Sequence, residues 1–141
     1  MAAVAAYLAD TSALARLDQA PVAQTLGPLI EAGLVATCAI VELEVRYSAR
    51  NPGEYEQIAH DRVAAYEMLP TDDWITSRAL EVQAELASTG QLRAVKLPDL
   101  LIAATAERHR VEVLHYDHDF DRIATITGQP AHWTAHPGTI P

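Results

Sequence analysis

Short apolar runs alternate along this chain with longer stretches of three-to-four-residue spacing. "VAAYLA", Val4 to Ala9, is too short for a helix and reads as a buried strand. "TSALARL" follows in a helical pattern, with Thr11 or Ser12 available as its N-cap. "PVAQTLGPLIEAG" reads as a helix closed by Gly33, and "LVATCAI" as a second strand. "VELEVRYSAR" continues as a helix ending before an "NPG" turn, Asn51 to Gly53. In "EYEQIAHDRVAAYEML", Tyr55, Ile58, Ala59, Val63 and Tyr66 keep helical spacing, the Arg62 stem lies at the stripe's edge, and "EML" is a third short strand. "SRALEVQAELAST" sets Leu80, Ala84 and Ala87 on one helical face and stops at Gly90. "KLPDLLIAATAERHR" is a strong helix with Pro98 in its first turn, "VEVLHY" is the clearest strand, and "DFDRIATITG" is a short helix or turn. The proline-containing tail reads as mostly irregular.

Strands separated by helices predict an α/β sandwich with a mostly parallel central sheet. The 141 residues fit a single domain with one core. In such sheets functional groups collect beyond the carboxyl ends of the strands. Acids fall at those places here. Asp10 follows the first strand and Asp117 the last, Glu42 and Glu44 lie early in the helix after the second, and Asp99 sits in a first helical turn. Each has a plain structural use: an aspartate after a strand caps a helix, and Asp99 complements a helix dipole. Glu42 and Glu44, two residues apart, cannot share a helix face, so at least one is expected to be solvated. The coincidence of all these acids on one sheet edge says more than any one of them.

The charge narrows the chemistry. Nineteen acids face ten bases, and Lys96 is the only lysine. A net charge of −9 argues against nonspecific coating of duplex nucleic acid, which depends on neutralising phosphates. Converging carboxylates repel one another unless a hard divalent cation offsets them, and Mg²⁺ and Mn²⁺ favour oxygen ligands. Such a site acts on a phosphodiester through the ion despite the protein's charge. Cys38 is the sole cysteine, which excludes an intramolecular disulfide and a multi-cysteine zinc site. "DHDFD" starts like a calcium loop, but position 6 from Asp117 is Arg122 and position 12 is Gly128, where such a loop needs glycine and glutamate. The N-terminal segment lacks an early basic residue and is broken by Asp10, so no leader or membrane span is expected, and the location expected is cytoplasmic.

"YLADTSALARL", "CAIVELEVRYSAR", "LPDLLIAATAERH" and "VEVLHYDHDFDRIA" together, in that order, resemble the PIN domains, and within them the VapC toxins of bacterial toxin–antitoxin pairs. The resemblance implies a Rossmann-like α/β/α sandwich and an endoribonuclease dependent on Mg²⁺ or Mn²⁺ that cleaves tRNA, rRNA or mRNA and arrests translation. It implies that Asp10, Asp99 and Asp117 hold metal. Counting back four from Ser48 in the family's pattern selects Glu44 as the fourth catalytic acid, with Glu42 as the alternative. The family often has glycine where this chain has Ser48. Thr11, Ser12 and Asp119 would support the site, whereas Asp121 faces solvent. The resemblance further implies a homodimer and a cognate VapB-type antitoxin. Two other readings are a PIN nuclease of RNA processing and a PIN interaction module without catalysis.

Other residues have plainer expectations. His115 and His118 flank Asp117 as structural groups, since they lack a zinc-binding spacing. Arg46, Arg50, Arg93 and Lys96 are expected as surface charges before RNA contacts. Trp74 and Trp133 are expected to pack.

Overall fold

The alternation closes into a five-stranded sheet in which every pairing is parallel, seen in a computed structural model that describes residues 4–141. Met1 to Ala3, at the head of the segment read as lacking a leader, lie outside the described residues. The chain runs β1 (Tyr7–Ala9), α1 (Thr11–Leu14), α2 (Ala20–Glu31), β2 (Val35–Cys38), α3 (Ala39–Arg46), α4 (Pro52–Ala65) and β3 (Glu67–Leu69). It continues through α5 (Asp73–Ser88), α6 (Leu97–His109), β4 (Glu112–His115), α7 (Asp119–Thr127) and β5 (Ala131–Trp133). The strand order is β3-β2-β1-β4-β5, so β1 lies between β2 and β4 at the centre.

The strands are apolar on both faces because both faces are covered. Leu8, Ala36, Cys38 and Val113 join a core with Val41, Ile75, Val82, Ile102 and Phe120 from α3, α5, α6 and α7. Their neighbours Ala9, Val35 and Leu114 point the other way, onto Val22 and Leu26 of α2. This is the period-two alternation of a strand sandwiched between helical layers. The sheet and its flanking helices agree with the α/β expectation. Gly33, at φ 72°, ends α2 as expected, and Gly128, at φ 70°, ends α7. Both adopt the left-handed conformation that glycine tolerates without strain.

Several local expectations differ. The tail is not irregular throughout: Ala131 to Trp133 form β5, held in register by β4. On α5 the inward residues are Ile75, Ala79, Val82 and Leu86, while Leu80, Ala84 and Ala87 line its outer face. Asn51 and Pro52 start α4 rather than forming a separate turn, with the Asn51 side chain accepting from Glu54 N at 2.8 Å. Arg62 is buried rather than at an edge, whereas Tyr55 and Val63 are exposed.

Candidate active site

The ends of β1 and β4 are drawn together directly beneath the acids. Asp10 N donates to Leu114 O at 2.9 Å, and Tyr116 N donates to Ser12 Oγ at 2.8 Å. Asp10 itself, not Thr11 or Ser12, caps α1, its Oδ2 accepting from Ser12 N at 3.0 Å. Its other oxygen, Oδ1, is buried with no hydrogen-bond partner. Burial and then the charge of Glu44 raise the Asp10 carboxyl above its ordinary range, against the bonds from Ser12.

A cavity of about 220 Å³ opens beside Asp10 and is lined also by Thr11, Ser12, Glu44, Lys96, Asp99 and Asp117. Asp99 enters it from the first turn of α6 and is buried, its Oδ2 making no hydrogen bond. Asp117 follows β4, and its Oδ1 accepts from Asp119 N at 2.9 Å. Oxygens of Asp99, Asp117 and Asp119 lie within 4.8 Å of one another. This is an acidic cluster suited to a cation, built without a single sulfur or imidazole donor.

The two glutamates part company. Glu44, half-buried, accepts from Thr11 Oγ1 at 2.9 Å and faces the cavity. Glu42 is buried against other partners: Thr37 Oγ1 donates to it at 2.6 Å, Arg62 Nε at 2.7 Å and Arg46 Nη2 at 3.1 Å. Neither is the solvated charge expected of at least one of them. Burial would raise the Glu42 carboxyl, but the Arg62 and Thr37 bonds outweigh it and hold the group below its usual range. Thr11 and Ser12 touch the acids, Thr11 at Glu44 and Ser12 at Asp10. Asp119 does too, though nothing in its spacing foretold its burial. Asp121 is exposed, as expected.

The residue that local reasoning missed is Lys96. Its Nζ lies 2.7 Å from Asp117, 2.9 Å from Asp119 and 3.5 Å from Asp99. Its backbone N also donates to Asp119 Oδ2 at 2.9 Å. Burial would lower this ammonium's pKa, but the bonds to Asp117 and Asp119 and the charge of Asp99 carry it above its ordinary value. The sole lysine is therefore a tethered counter-ion for the acids. The only signal was its place three residues before Asp99, a spacing that brings side chains together on a helix.

His115 is structural, as expected. Fully buried, with its pKa lowered to about 4 chiefly by that burial, it accepts Asp117 N on Nδ1 at 3.2 Å.

Burial first, then a hydrogen bond to Asp119 and the charge of Asp10, push the Asp99 carboxyl up to about 8. The folded chain thus keeps a proton that the unfolded chain releases near pH 4. Metal-free protein is expected to lose stability as pH rises from about 4 towards 8, because the folded state binds the extra proton across that window. Urea midpoints in a chelator at pH 5.5 and pH 8.5 test this. Asp99→Asn should flatten the difference, and an undiminished slope in that variant would refute the assignment.

A family model described as PIN domain matches residues 7–126. The chain is 46% identical over 133 residues to ribonuclease VapC21 of Mycobacterium tuberculosis, covering 94% of this chain and 96% of that protein. It is 46% identical over 134 residues to ribonuclease VapC51 of the same organism, covering 95% and 96% respectively. The fold also matches a chain in the crystal structure of VapBC2 from Rickettsia felis bound to a promoter DNA fragment. The TM-score is 0.72 at 18% identity, over 90% of this chain and 97% of that one.

Proposed function

The chain belongs to the PIN domain family, and from that premise we propose that it is the VapC-type toxin of a toxin–antitoxin pair. As such it is a single-domain endoribonuclease over residues 1–141 that cuts tRNA, rRNA or mRNA and halts translation. One observation carries the reading. Buried oxygens of Asp10 and Asp99 without hydrogen-bond partners, the second 3.5 Å from Lys96 Nζ, converge with Asp117 and Glu44 on one cavity. Unpaired buried carboxylate oxygens are costly, and a divalent cation is the partner that such oxygens fit. Asp10, Asp99 and Asp117 are the residues that would hold Mg²⁺ or Mn²⁺. When bound, such an ion acidifies water and offsets charge developing on the phosphodiester.

The protein's own groups do the rest. Glu44, oriented by Thr11, accepts the proton of the attacking water at its carboxylate. Ser12 fixes the separation of the two strand ends and so of Asp10 and Asp117. Asp119 anchors Lys96 beside the acids. The cationic side chain of a VapB-type antitoxin entering this acidic cavity would inhibit by taking the metal's electrostatic place. The two relatives are named ribonucleases VapC, and the Rickettsia felis neighbour is a VapBC structure. They support the toxin reading over RNA processing or a bare interaction module, as does the complete set of acids. A homodimer and a cytoplasmic setting go with it. No described helix is long and apolar enough to cross a membrane.

Incubating cellular RNA with the protein, with Mn²⁺ or with a chelator, tests the activity. An absence of cutting under every metal condition would sink the catalytic reading. Glu44→Gln is expected to lower cleavage by about 10²- to 10⁴-fold, the range of a general base, without moving the urea midpoint. Glu42→Gln should move the midpoint instead. The reverse pattern would exchange their roles.

A further inference from the structure

A second, larger cavity of about 460 Å³ adjoins the acids and shares Asp117 with them. Asp119, Arg16, Tyr116, His118, Arg122 and Trp133 line it, and the tail from Gly138 to Pro141 closes one side. We propose that this cavity is a nucleotide subsite that seats the RNA residue next to the scissile phosphodiester, its base against Trp133 and its phosphate between Arg16 and Arg122. The inference rests on the ribonuclease reading and adds to it where the substrate is gripped.

Three observations carry it. First, the wall is aromatic and rigid. Trp133 Nε1 donates to Asp121 Oδ1 at 3.2 Å, and the ring meets His115, Tyr116 and His118 edge-on at centroid distances of 5.0, 5.3 and 4.8 Å. A ring held this way offers a base a platform that costs little to order. Second, two of the chain's ten basic residues meet here although the protein carries −9 overall. Arg16 is braced across the Tyr116 ring at 4.7 Å, with Nη1 on Ser12 O at 2.7 Å and Nε on Pro141 O at 2.8 Å. Arg122 is close to half exposed and makes one long contact, 3.4 Å to Asp119. Planar guanidiniums are the side chains best matched to phosphate oxygens. Third, the volume and position suit one nucleotide of a strand whose neighbouring phosphodiester lies over Asp117.

Trp133 and the tail lie beyond residue 126, where the family match stops. Arg16, Tyr116, His118 and Arg122 lie within the matched residues, and Trp133 and the tail complete the wall from the segment after them. The wall as a whole would read RNA in the way that single-stranded RNA is read elsewhere, by stacking on aromatic and arginine planes.

The test uses an Asp10→Asn, Trp74→Phe chain, which keeps RNA intact and leaves Trp133 as the sole indole. Short homopolymeric oligoribonucleotides are titrated in Mg²⁺. Saturable quenching of Trp133 fluorescence is expected for at least one base. In anisotropy titrations of labelled oligonucleotide, Trp133→Ala should weaken binding about 5- to 150-fold, the range for losing one stacked base. Trp133→Phe should weaken it less, and Arg122→Gln should reduce its salt dependence. A urea midpoint screens Trp133→Ala for folding; if it unfolds, quenching together with Trp133→Phe and Arg122→Gln decides. Absence of quenching by every RNA overturns the subsite, as does unchanged affinity in the folded variants. If the unmutated chain still cuts RNA, that failure leaves the ribonuclease reading standing. Quenching without any cutting by the unmutated chain would do the opposite.

Discussion

Asp10→Asn is expected to lower metal-dependent RNA cleavage by about 10³-fold or more, roughly 4 kcal/mol of transition-state stabilisation, while the fold survives. The two effects separate because Asp10 has two jobs on two oxygens. Oδ2 caps α1 by accepting from Ser12 N, and asparagine caps helices as well as aspartate does. Oδ1 has no protein partner, and the charge it shares is what a cation would use. Burial and Glu44 already penalise that charge without metal. Metal-free Asp10→Asn should therefore be no less stable than the parent at pH 7, and the stabilisation that Mn²⁺ gives the parent should shrink. Sequencing of cut ends measures the first effect and thermal melting with and without Mn²⁺ the second. Full cleavage by Asp10→Asn would remove Asp10 from the metal site.

Arg62→Met is expected to cost about 3 kcal/mol of folding stability, the low end for breaking a buried ion pair, because Thr37 and Arg46 still donate to Glu42. Arg62 lies on α4 and Glu42 on α3, both buried, with Nε on Oε2 at 2.7 Å and the guanidinium 4.4 Å from the centroid of the Tyr66 ring. The depressed Glu42 carboxyl contributes stability at pH 7 that is lost as pH falls below the ordinary range, near 4.5. Without Arg62 the largest opposing bond is lost and the depression of the carboxyl shrinks, while Thr37 and Arg46 still donate to it. The defect should then be largest at pH 7 and shrink on acidification, as protonation neutralises Glu42. Urea unfolding at pH 7 and pH 4.5 reads this directly. Adding Glu42→Met to Arg62→Met should recover much of the loss, because an apolar pair replaces a buried charge that has lost its most buried partner. An equal or greater loss in the double variant would mean that packing by the arginine stem dominates. Glu44 is two residues from Glu42, so the bracket of Thr37, Glu42 and Arg62 also fixes how α3 presents its catalytic candidate.

What was legible in the sequence followed from local periodicity. "VAAYLA", "LVATCAI" and "VEVLHY" declared themselves as strands because the paired residues within them, Tyr7–Ala9, Val35–Cys38 and Glu112–His115, are covered on both faces, and an apolar run results. Asp10 and Asp117 were legible because a parallel sheet places strand-ending residues on one edge. Features set by distant partners were not. The burial of Arg62 depends on Glu42, 20 residues earlier, and no local pattern reveals an ion pair of that kind. β5 is three residues long and flanked by prolines in the tail, and it exists through pairing with β4. On α5 the apolar residues occupy both faces, so the spacing of Leu80, Ala84 and Ala87 was real but belonged to the outward side. Lys96 is a surface charge, as expected, but its pairing with Asp119 depends on α7, which local spacing does not reveal.

The central strand has one further consequence, for the time order of synthesis. β1 pairs with β2 about 28 residues on, as Tyr7 with Val35, but its other edge waits for β4, where Tyr7 meets Glu112. A chain leaves the ribosome N-terminus first, and contacts of such long separation form last. Asp10, Glu44 and Asp99 are therefore made well before the strand that sets Asp117 beside them. A growing chain therefore carries most of the acids before it has the strand that completes the centre.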